Sequence, residues 1–357
     1  MKIITIIGAR PQFIKAAMVS RAVQQKAQQG FAIEEKILHT GQHYDYNMSS
    51  IFFDEMQIPA PAWHLGCSSD VQEMKRAIVP LVRGNADYIL VYGDTNSTLA
   101  GALAAEECKI PLIHIEAGLR SHNMQMAEEY NRIETDRRSQ ILFAPTSTAV
   151  QNLKTEGVPG KIFKSGDVMY DAAIVFGRIA DQRATILSKL ALESGKYLLA
   201  TIHRAENTAS PEALMSIFSA FEQLPLPVIL PLHPRTRHVV DGDSDLSQFM
   251  AQAKNIRVIE PVSYINMVQL EKHAFRILTD SGGVQKEAYF HGVPCITLRH
   301  ETEWTETVEA GWNVLAGTDT QRILSAYDTP FRKEKIAEYG TGRAAEEIVD
   351  LLCQNAC

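Results

Sequence analysis

The chain has 357 residues, more than one hydrophobic core usually serves, so its length predicts two domains of roughly 150–200 residues each. The formal net charge is −7, and Lys and Arg are scattered along the sequence rather than clustered. This distribution argues against nucleic acid or an anionic membrane surface as a partner. No apolar run approaches the roughly 18–20 residues that a membrane span requires.

The cysteines and the N-terminus indicate a reducing compartment. Five cysteines are widely spaced, odd in number and without metal-ligand spacing: Cys67, Cys108, Cys295, Cys353 and Cys357. The segment 1–8 is too short for a secretory core and runs into a Gly-Ala-Arg-Pro turn, so we interpret it as the first buried strand. We therefore expect a cytoplasmic protein with reduced thiols and no structural metal.

Short β-branched runs alternate with helical patterns along the chain. In the first half the predicted strands are 3–7, 35–39, 88–92, 112–115 and 141–144. In the second half they are 197–202, 227–231, 256–259, 276–278 and 295–298. This alternation predicts an α/β fold of two Rossmann-like domains, 1–168 and 169–342, facing across a cleft, with the boundary near 166–172. Ligands of such sheets bind beyond the carboxyl ends of the strands.

The stretch 8–15, Gly-Ala-Arg-Pro-Gln-Phe-Ile-Lys, follows the first predicted strand. Pro11 suits the first turn of a helix, which places Arg10 and Lys15 on or just beyond the loop. An Arg fork and a mobile Lys charge can together clamp a diphosphate. The alternative is a pair of solvated surface cations.

Acidic residues follow two neighbouring strands. Asp94 comes after the apolar strand 88–92, although it could also be the N-cap of the next helix. Glu116 follows strand 112–115, and Glu128 and Glu129 come twelve residues later, with Asn131 and Arg132 able to orient one of them. Converging carboxylates can raise one another's pKa and so provide an acid and a base together. The alternative is ordinary charge at the start of a helix.

His203 and Arg204 end the first strand of the second half, where a histidine can donate a hydrogen bond to a leaving phosphate. His233 and Arg235 follow the next strand and are weaker candidates for ligand contact. Patterns typical of zinc hydrolases, P-loop NTPases and serine hydrolases do not occur.

The stretch 278–287, Leu-Thr-Asp-Ser-Gly-Gly-Val-Gln-Lys-Glu, has the pattern of a strand, a turn and the first turn of a helix. Backbone N–H groups exposed by Gly282 and Gly283 at a helix N-terminus favour a phosphate or diphosphate. Glu287, one turn further on, can accept hydrogen bonds from a ribose diol. The implied ligand is a nucleotide, and the alternative is an ordinary turn with Ser281 as the N-cap.

Taken together, the motifs resemble the non-hydrolysing UDP-N-acetylglucosamine 2-epimerase family, from residue 1 to about 315. The resemblance rests on six motifs in order: Gly-Ala-Arg-Pro with Lys15, Gly93-Asp-Thr, His114-Ile-Glu-Ala-Gly-Leu-Arg, Glu-Glu-x-Asn-Arg132, His203-Arg, and Thr279-Asp-Ser-Gly-Gly-x-Gln with Glu287. It implies the glycosyltransferase-B fold, a UDP-sugar substrate inverted at C2, no redox cofactor and a homodimer. It also implies that a C-terminal helix, 343–357, joins the first domain.

The resemblance assigns roles to particular residues of this chain. The implied catalytic group is Arg10, Lys15, Asp94, Glu116, Glu128 and His203. The implied UDP-binding group is Arg10, Lys15, Ser281, Gly282, Gly283, Glu287 and Val262, and Met267 also aligns with the stretch that contacts uracil. Loss of UDP from C1 would acidify the C2 hydrogen, and a carboxylate would then remove that proton.

The sequence departs from the branch that uses plain UDP-N-acetylglucosamine. Gln12 replaces a Glu, residues 44–47 replace a pattern linked to an allosteric substrate site, and Trp304 and Thr305 replace Arg-Pro. These changes argue against allosteric activation and favour a modified sugar, such as a UDP-2,3-diacetamido-glucuronate or a UDP-acetamido-deoxyhexose, in surface-polysaccharide or O-antigen synthesis. We expect Trp304 to offer a flat apolar surface to an extra acetyl group.

Three other functions fit parts of this pattern. A hydrolysing 2-epimerase would release a free sugar, and a glycosyltransferase would share the fold but need an acceptor site. A non-catalytic nucleotide-sugar sensor would leave the acidic strand ends without a purpose.

Overall fold

The computed structural model describes residues 1–42, 53 and 55–355, and the chain divides into two compact units. Unit 1 combines Met1–Ala172 with Ala337–Cys357, and unit 2 is Ala173–Ile336. The first boundary lies between Ala172 and Ala173, inside one continuous helix, Val168–Arg183. In the part of the chain that the structure describes, no helix has the length and apolar character needed to cross a membrane.

Unit 1 contains, among its described residues, a seven-stranded parallel sheet in the order β3-β2-β1-β4-β5-β6-β7. Its strands are β1 Lys2–Ile7, β2 Glu34–His39, β3 Trp63–His64, β4 Tyr88–Tyr92, β5 Leu112–Ile115, β6 Ile141–Ala144 and β7 Lys161–Lys164. Its helices are α1 Arg10–Gln28, α2 Val71–Val82, α3 Asn96–Cys108, α4 Ala127–Arg138, α5 Ser147–Thr155 and the C-terminal α16 Ala344–Asn355, with α6 Val168–Arg183 leading out of the unit.

Unit 2 contains, within the same described part, a six-stranded parallel sheet in the order β10-β9-β8-β11-β12-β13. Its strands are β8 Leu198–Thr201, β9 Val228–Pro231, β10 Ile256–Ile259, β11 Arg276–Thr279, β12 Cys295–Thr297 and β13 Asn313–Leu315. Its helices are α7 Ile186–Lys189, α8 Ala205–Thr208, α9 Pro211–Gln223, α10 Pro234–Gly242, α11 Ser244–Gln252, α12 Tyr264–His273, α13 Gly282–Phe290, α14 Thr305–Glu309 and α15 Thr320–Asp328. The predicted α/β class, with two parallel sheets, is confirmed.

The strands that the sequence did not predict are β3, β7 and β13, and each lies at the edge of its sheet. They are only two to four residues long, and β7 has no buried residue. An edge strand has one hydrogen-bonded neighbour and can remain short and polar, so its hydrophobic pattern is weak. The interior strands, which are buried on both faces, have the apolar runs that made them predictable.

The helix α3 packs closely on the centre of the unit 1 sheet because it is built from small residues. A Cβ added at Gly101 would lie 2.8 Å from Val91 Cγ1 and 3.1 Å from Ile6 Cδ1. Such distances leave no room for a side chain, so the helix lies directly on β1 and β4. This close packing fixes the start of α3 beside the end of β4, where Asp94 lies.

The C-terminal helix α16 belongs to unit 1 and is held by a carboxylate on α6. Asp171 accepts hydrogen bonds from Ala344 N at 3.0 Å and Ala345 N at 2.7 Å, so it caps the helix from outside. Lys26 on α1 adds an ion pair with Asp350 at 2.5 Å. Burial raises the pKa of Asp171 to about 6, although the two backbone N–H groups oppose the shift.

This raised pKa predicts a pH dependence of stability. The folded state holds the Asp171 proton more tightly than the unfolded state does. The contribution of this proton to the free energy of unfolding is therefore complete below pH 3.8 and is lost as the pH rises to about 6. The shift of about two pKa units corresponds to roughly 3 kcal/mol. We expect urea unfolding to show that wild-type stability falls relative to Asp171→Asn across this window.

The matched control is Asp181→Asn on the same helix. Lys272 holds the pKa of Asp181 below its usual range, so this residue titrates outside the window and its replacement should leave the slope unchanged. Parallel stability curves for wild type and Asp171→Asn would contradict the prediction.

Candidate active site

Asp94 and Glu116 lie at neighbouring strand ends in unit 1. β4 and β5 pair in parallel with Tyr92 opposite Ile115, so the residues that follow them emerge at one edge of the sheet. Lys15 on α1 places its Nζ 2.5 Å from Glu116 Oε1, and both side chains are largely buried. The cation predicted to bind a diphosphate is therefore paired with one of the predicted acidic groups.

The backbone at these strand ends is shaped around this ion pair. Glu116 has φ 69°, in the left-handed region that side chains rarely adopt, and its N–H donates to Phe143 O at 3.1 Å. Gly93 also has positive φ, and a Cβ there would lie 3.2 Å from Lys15 Nζ and 3.3 Å from Glu116 Oε1. Glycine at this position leaves space for the two charged atoms.

Arg132 on α4 joins two carboxylates. Its Nη2 lies 2.5 Å from Asp94 Oδ2, and its Nη1 lies 2.6 Å from Glu129 Oε2. Asn131 Nδ2 donates to Asp94 O at 2.9 Å. The N-cap of α3 is Thr95, whose hydroxyl accepts a backbone N–H of the first turn, so the alternative interpretation of Asp94 as that cap is wrong.

The adjacent residues Glu128 and Glu129 have different environments. Glu129 is 1% exposed and accepts hydrogen bonds from the backbone N–H groups of Ser121 and His122, while Glu128 is half-buried. Burial alone would raise the pKa of Glu129, but these hydrogen bonds and Arg132 outweigh it and hold the pKa below its usual range. Glu129 therefore anchors the loop that precedes α4 as an ionised carboxylate.

A second buried network lies behind β5. Arg120 places Nη2 2.8 Å from Asp136 Oδ2, and its Nε and Nη2 donate to the two oxygens of Glu156 at 2.7 Å. Burial by itself would lower the pKa of Arg120, but Glu156 and Asp136 raise it. Asp136 also contacts His114. Sequence reasoning missed Asp136, because an acidic residue four positions past Arg132 looks like ordinary helix charge.

Gln12 does not lie in a binding surface. It is 1% exposed, and its Oε1 accepts hydrogen bonds from Gly8 N at 2.8 Å and Ala9 N at 3.1 Å. Its Nε2 donates to Tyr92 O at 3.2 Å and Thr98 Oγ1 at 3.0 Å. The residue ties the start of α1 to the end of β4, so the replacement of Glu by Gln here serves a buried hydrogen-bond network. Arg10, the first residue of α1, is half-buried beside it.

In unit 2 the turn after β11 has the predicted geometry at the start of α13. Ser281 is the N-cap, with its Oγ 3.5 Å from Val284 N. A Cβ at Gly282 would lie 2.4 Å from Glu303 Oε1, so a larger residue where the helix begins would displace the Glu303 carboxylate. Glu287 is buried, and Tyr264 Oη donates to its Oε1 at 3.1 Å. Because Ser281 is the N-cap, Gly282 and Gly283 are the first two residues of the helix.

Asp280, just before this turn, fixes the loop that follows β8. It is fully buried, and its carboxylate accepts hydrogen bonds from His203 N at 3.0 Å, Arg204 N at 2.9 Å and Asn207 Nδ2 at 3.1 Å. Burial raises the pKa of Asp280, and these hydrogen bonds oppose the shift. Asp280 lies inside the Thr-Asp-Ser-Gly-Gly motif, but the motif alone does not indicate this role for it.

The histidines at the ends of β8 and β9 lie side by side. The rings of His203 and His233 have centroids 5.2 Å apart. His233 Nδ1 accepts a hydrogen bond from Arg235 N as the N-cap of α10, and Arg235 Nη1 donates to His203 O at 3.0 Å. His233 and Arg235 therefore support the segment that carries His203.

Trp304 is buried and does not offer an open ring face. It is 4% exposed, and Lys286 Nζ lies 3.8 Å from the centre of its ring as a cation–π contact. The expectation that Trp304 presents a flat surface to a sugar substituent is therefore wrong.

The stretch aligned with uracil contacts is mainly structural. Met267 is buried in an apolar cluster of unit 2 with Tyr197 and Leu199, and Val262 packs against that cluster. Residues 44–47, which carried the argument about allostery, lie outside the described residues.

Comparison with known proteins places this site in a family. The family model described as UDP-N-acetylglucosamine 2-epimerase matches residues 25–353. A Pseudomonas aeruginosa UDP-2,3-diacetamido-2,3-dideoxy-D-glucuronate 2-epimerase is 46% identical over 99% of this chain and 100% of its own. A UDP-N-acetylglucosamine 2-epimerase homolog of Methanococcus maripaludis is also 46% identical, over 99% of both chains.

A solved structure agrees with these matches. The Methanocaldococcus jannaschii UDP-GlcNAc 2-epimerase, crystallised with UDP-GlcNAc and UDP, is 38% identical and superposes with a TM-score of 0.89, covering 99% of this chain and 100% of that one. The likeness confirms the glycosyltransferase-B fold class predicted from the sequence. Because the match extends over nearly the whole chain, the protein belongs to the UDP-N-acetylglucosamine 2-epimerase family and is an isomerase of that type.

Proposed function

We propose that the protein inverts C2 of a UDP-2-acetamido sugar without hydrolysing it. The observation that carries this proposal is the set of carboxylates at the ends of β4 and β5, with Asp94 held by Arg132 and Glu116 held by Lys15. A nucleotide-binding protein without acid–base chemistry has no need for acidic groups fixed in this way. Family membership gives the reaction type.

The reaction proceeds by elimination and re-addition. The bond between C1 and the diphosphate oxygen breaks, and UDP leaves with the electron pair. A carboxylate then takes the C2 proton, and the electrons of that C–H bond form the C1–C2 double bond of a 2-acetamidoglucal. A second carboxylate returns a proton to the opposite face of C2 as UDP adds back to C1. Each bond that breaks is restored, so no redox cofactor is required.

We assign proton transfer to Asp94, Glu116 and Glu128. Asp94 and Glu116 are each oriented by a cation, which fixes where a proton is accepted or released. Glu128 is left half-buried beside Glu129, whose carboxylate is occupied by loop N–H groups and Arg132. Lys15, paired with Glu116, also supplies positive charge to the departing UDP.

We assign UDP binding to the N-terminus of α13, Glu287, Arg10, His203 and Val262. The helix N-terminus, with Ser281 as its N-cap and the N–H groups of Gly282 and Gly283 in its first turn, favours a diphosphate, and Glu287 suits a ribose diol. Arg10 and His203 would interact more strongly with UDP as it becomes more anionic, which stabilises the transition state. Val262 is assigned to the uracil end.

The substrate we propose is a UDP-2-acetamido sugar modified at C3 or C6. The similarity to the Pseudomonas enzyme named for a diacetamido-glucuronate supports this class. Gln12 and Trp304 do not support this substrate class, because both side chains are buried. A role in surface-polysaccharide synthesis and a homodimeric assembly belong to the same proposal.

Turnover in D₂O tests the mechanism. The carboxylate that returns a proton to C2 is not the one that removed it and exchanges with solvent, so the epimerised product should carry deuterium at C2. Proton NMR of the product measures this incorporation directly. Epimerisation with no solvent label would contradict an exchanging carboxylate and favour a redox route or a shielded single base.

Substitution of the carboxylates tests the residue assignment. We expect Asp94→Asn, Glu116→Gln and Glu128→Gln each to lower kcat by at least about 10²-fold, the low end for a general acid or base. Glu134→Gln is the matched control, because Glu134 lies on the same helix as Glu128 but pairs with Arg137 and Arg138. Wild-type rates for all three site variants would remove the assignment.

A comparison of two substrates tests the proposed specificity. We expect a larger kcat/KM for UDP-2,3-diacetamido-2,3-dideoxyglucuronate than for UDP-N-acetylglucosamine. Product NMR in the same assay distinguishes the competing functions, because a hydrolysing enzyme releases free sugar and UDP, and a glycosyltransferase requires an acceptor. A larger kcat/KM for the unmodified sugar would place the chain in the plain branch.

A further inference from the structure

His114 on β5 is fully buried, and each of its ring nitrogens contacts an acceptor. Nδ1 lies 2.7 Å from Asp136 Oδ1, and Nε2 lies 2.8 Å from Gly93 O. A carbonyl oxygen can only accept a hydrogen bond, so Nε2 must carry a proton. The same holds for Nδ1 if Asp136 is ionised.

Asp136 is held as a carboxylate by its other oxygen. Oδ2 accepts hydrogen bonds from Gly118 N at 3.2 Å and from Arg120 Nη2, which lies 2.8 Å away. A proton on Asp136 would weaken both contacts, and a neutral histidine would place one ring nitrogen against an acceptor without a hydrogen. Arg120 therefore favours the ionised form of Asp136, and beside an ionised Asp136 both contacts of the His114 ring are satisfied by an imidazolium.

The carbonyl that His114 contacts belongs to the peptide group that joins Gly93 to Asp94. The N–H of Gly93 donates to Ile115 O at 3.0 Å, so Gly93 is held by hydrogen bonds on both sides. The His114 ring thus holds the Gly93–Asp94 peptide, which carries the candidate acid–base residue Asp94. The same histidine lies two residues before Glu116, the second candidate, whose backbone is in the left-handed region.

We infer that His114 is a positioning residue that acts as a buried imidazolium, orienting Asp94 through the Gly93–Asp94 peptide. It does not touch substrate and transfers no proton. The inference rests on the proposed function for its link to turnover. The protonation of the ring can be measured without any substrate.

Two substitutions separate the two contacts of the ring. His114→Gln can place an amide N–H near the position of Nε2 and keep a donor to Gly93 O, whereas His114→Asn can place one near Nδ1 and keep only the contact with Asp136. If the peptide contact matters, Asn should lower kcat by about 10²-fold, with a smaller change in KM, and Gln should recover much of that loss. His291→Gln is the control for removing a buried histidine, because His291 lies at the end of α13 in unit 2.

The protonation state is measured on the wild-type protein labelled with ¹⁵N-histidine. We expect both ring nitrogens of His114 to have imidazolium shifts near neutral pH, with the resonance assigned by its absence in His114→Asn. His291 provides the neutral reference, since burial lowers its pKa to about 4. An unprotonated ring nitrogen at His114, or equal kcat values for the Gln and Asn variants, would overturn the inference.

The protonation state of the His114 ring can be measured even if the variants do not fold or the protein epimerises no UDP-sugar. If neither variant folds, the His114 resonance is assigned by elimination with variants of the other histidines, and the ring spectrum of the wild-type protein then decides the inference. If the wild-type enzyme epimerises no UDP-sugar, the proposed function fails, and the spectrum still reports whether His114 is the buried cation.

Discussion

The site in unit 1 depends on ion pairs near the ends of β4 and β5, in which Lys15, Glu116, Arg132 and Glu129 are largely buried and Asp94 is partly exposed. Lys15 pairs with Glu116, and Arg132 pairs with both Asp94 and Glu129. Removing such charges from water is costly, and only close contacts with several hydrogen bonds offset that cost. Loss of one partner leaves an uncompensated buried charge, at a typical cost of about 3–5 kcal/mol. The ion pairs therefore restrict the positions of these carboxylates, as the proposed acid–base chemistry requires.

The backbone around these pairs accepts unfavourable conformations for the same reason. Glu116 has positive φ although it is not a glycine, which typically costs on the order of 1 kcal/mol or more. Two adjacent N–H groups, of Glu116 and Ala117, donate to Phe143 O and hold this conformation. The strain at this turn aims the side chain toward Lys15, and the missing Cβ of Gly93 gives both groups room. Such a turn persists only where the surrounding sheet fixes its ends.

The sequence predicted what local patterns determine and missed what depends on distant contacts. The interior strands and the placement of Asp94, Glu116 and Ser281 at strand ends followed from apolar runs and turn residues. The roles of Gln12 and Trp304 could not be read in the same way, because some of the groups that hold them are distant in the sequence. Gln12 binds Tyr92 O, eighty residues distant, and its amide donor makes a contact that a carboxylate cannot. A residue that differs from its family can therefore mark a packing change rather than a change in substrate.

In each unit a buried carboxylate fixes a loop that carries candidate site residues. This arrangement distinguishes the structural acidic residues of the motifs from the candidates for proton transfer. Glu129 in unit 1 accepts the backbone N–H groups of Ser121 and His122, and Asp280 in unit 2 accepts those of His203 and Arg204. Loop N–H groups without partners in a strand or helix need such an acceptor when they are buried. A carboxylate used in this way has its lone pairs occupied and is a poor base. Of two adjacent acidic residues in a motif, the more exposed one is then the better candidate for proton transfer, which favours Glu128 over Glu129.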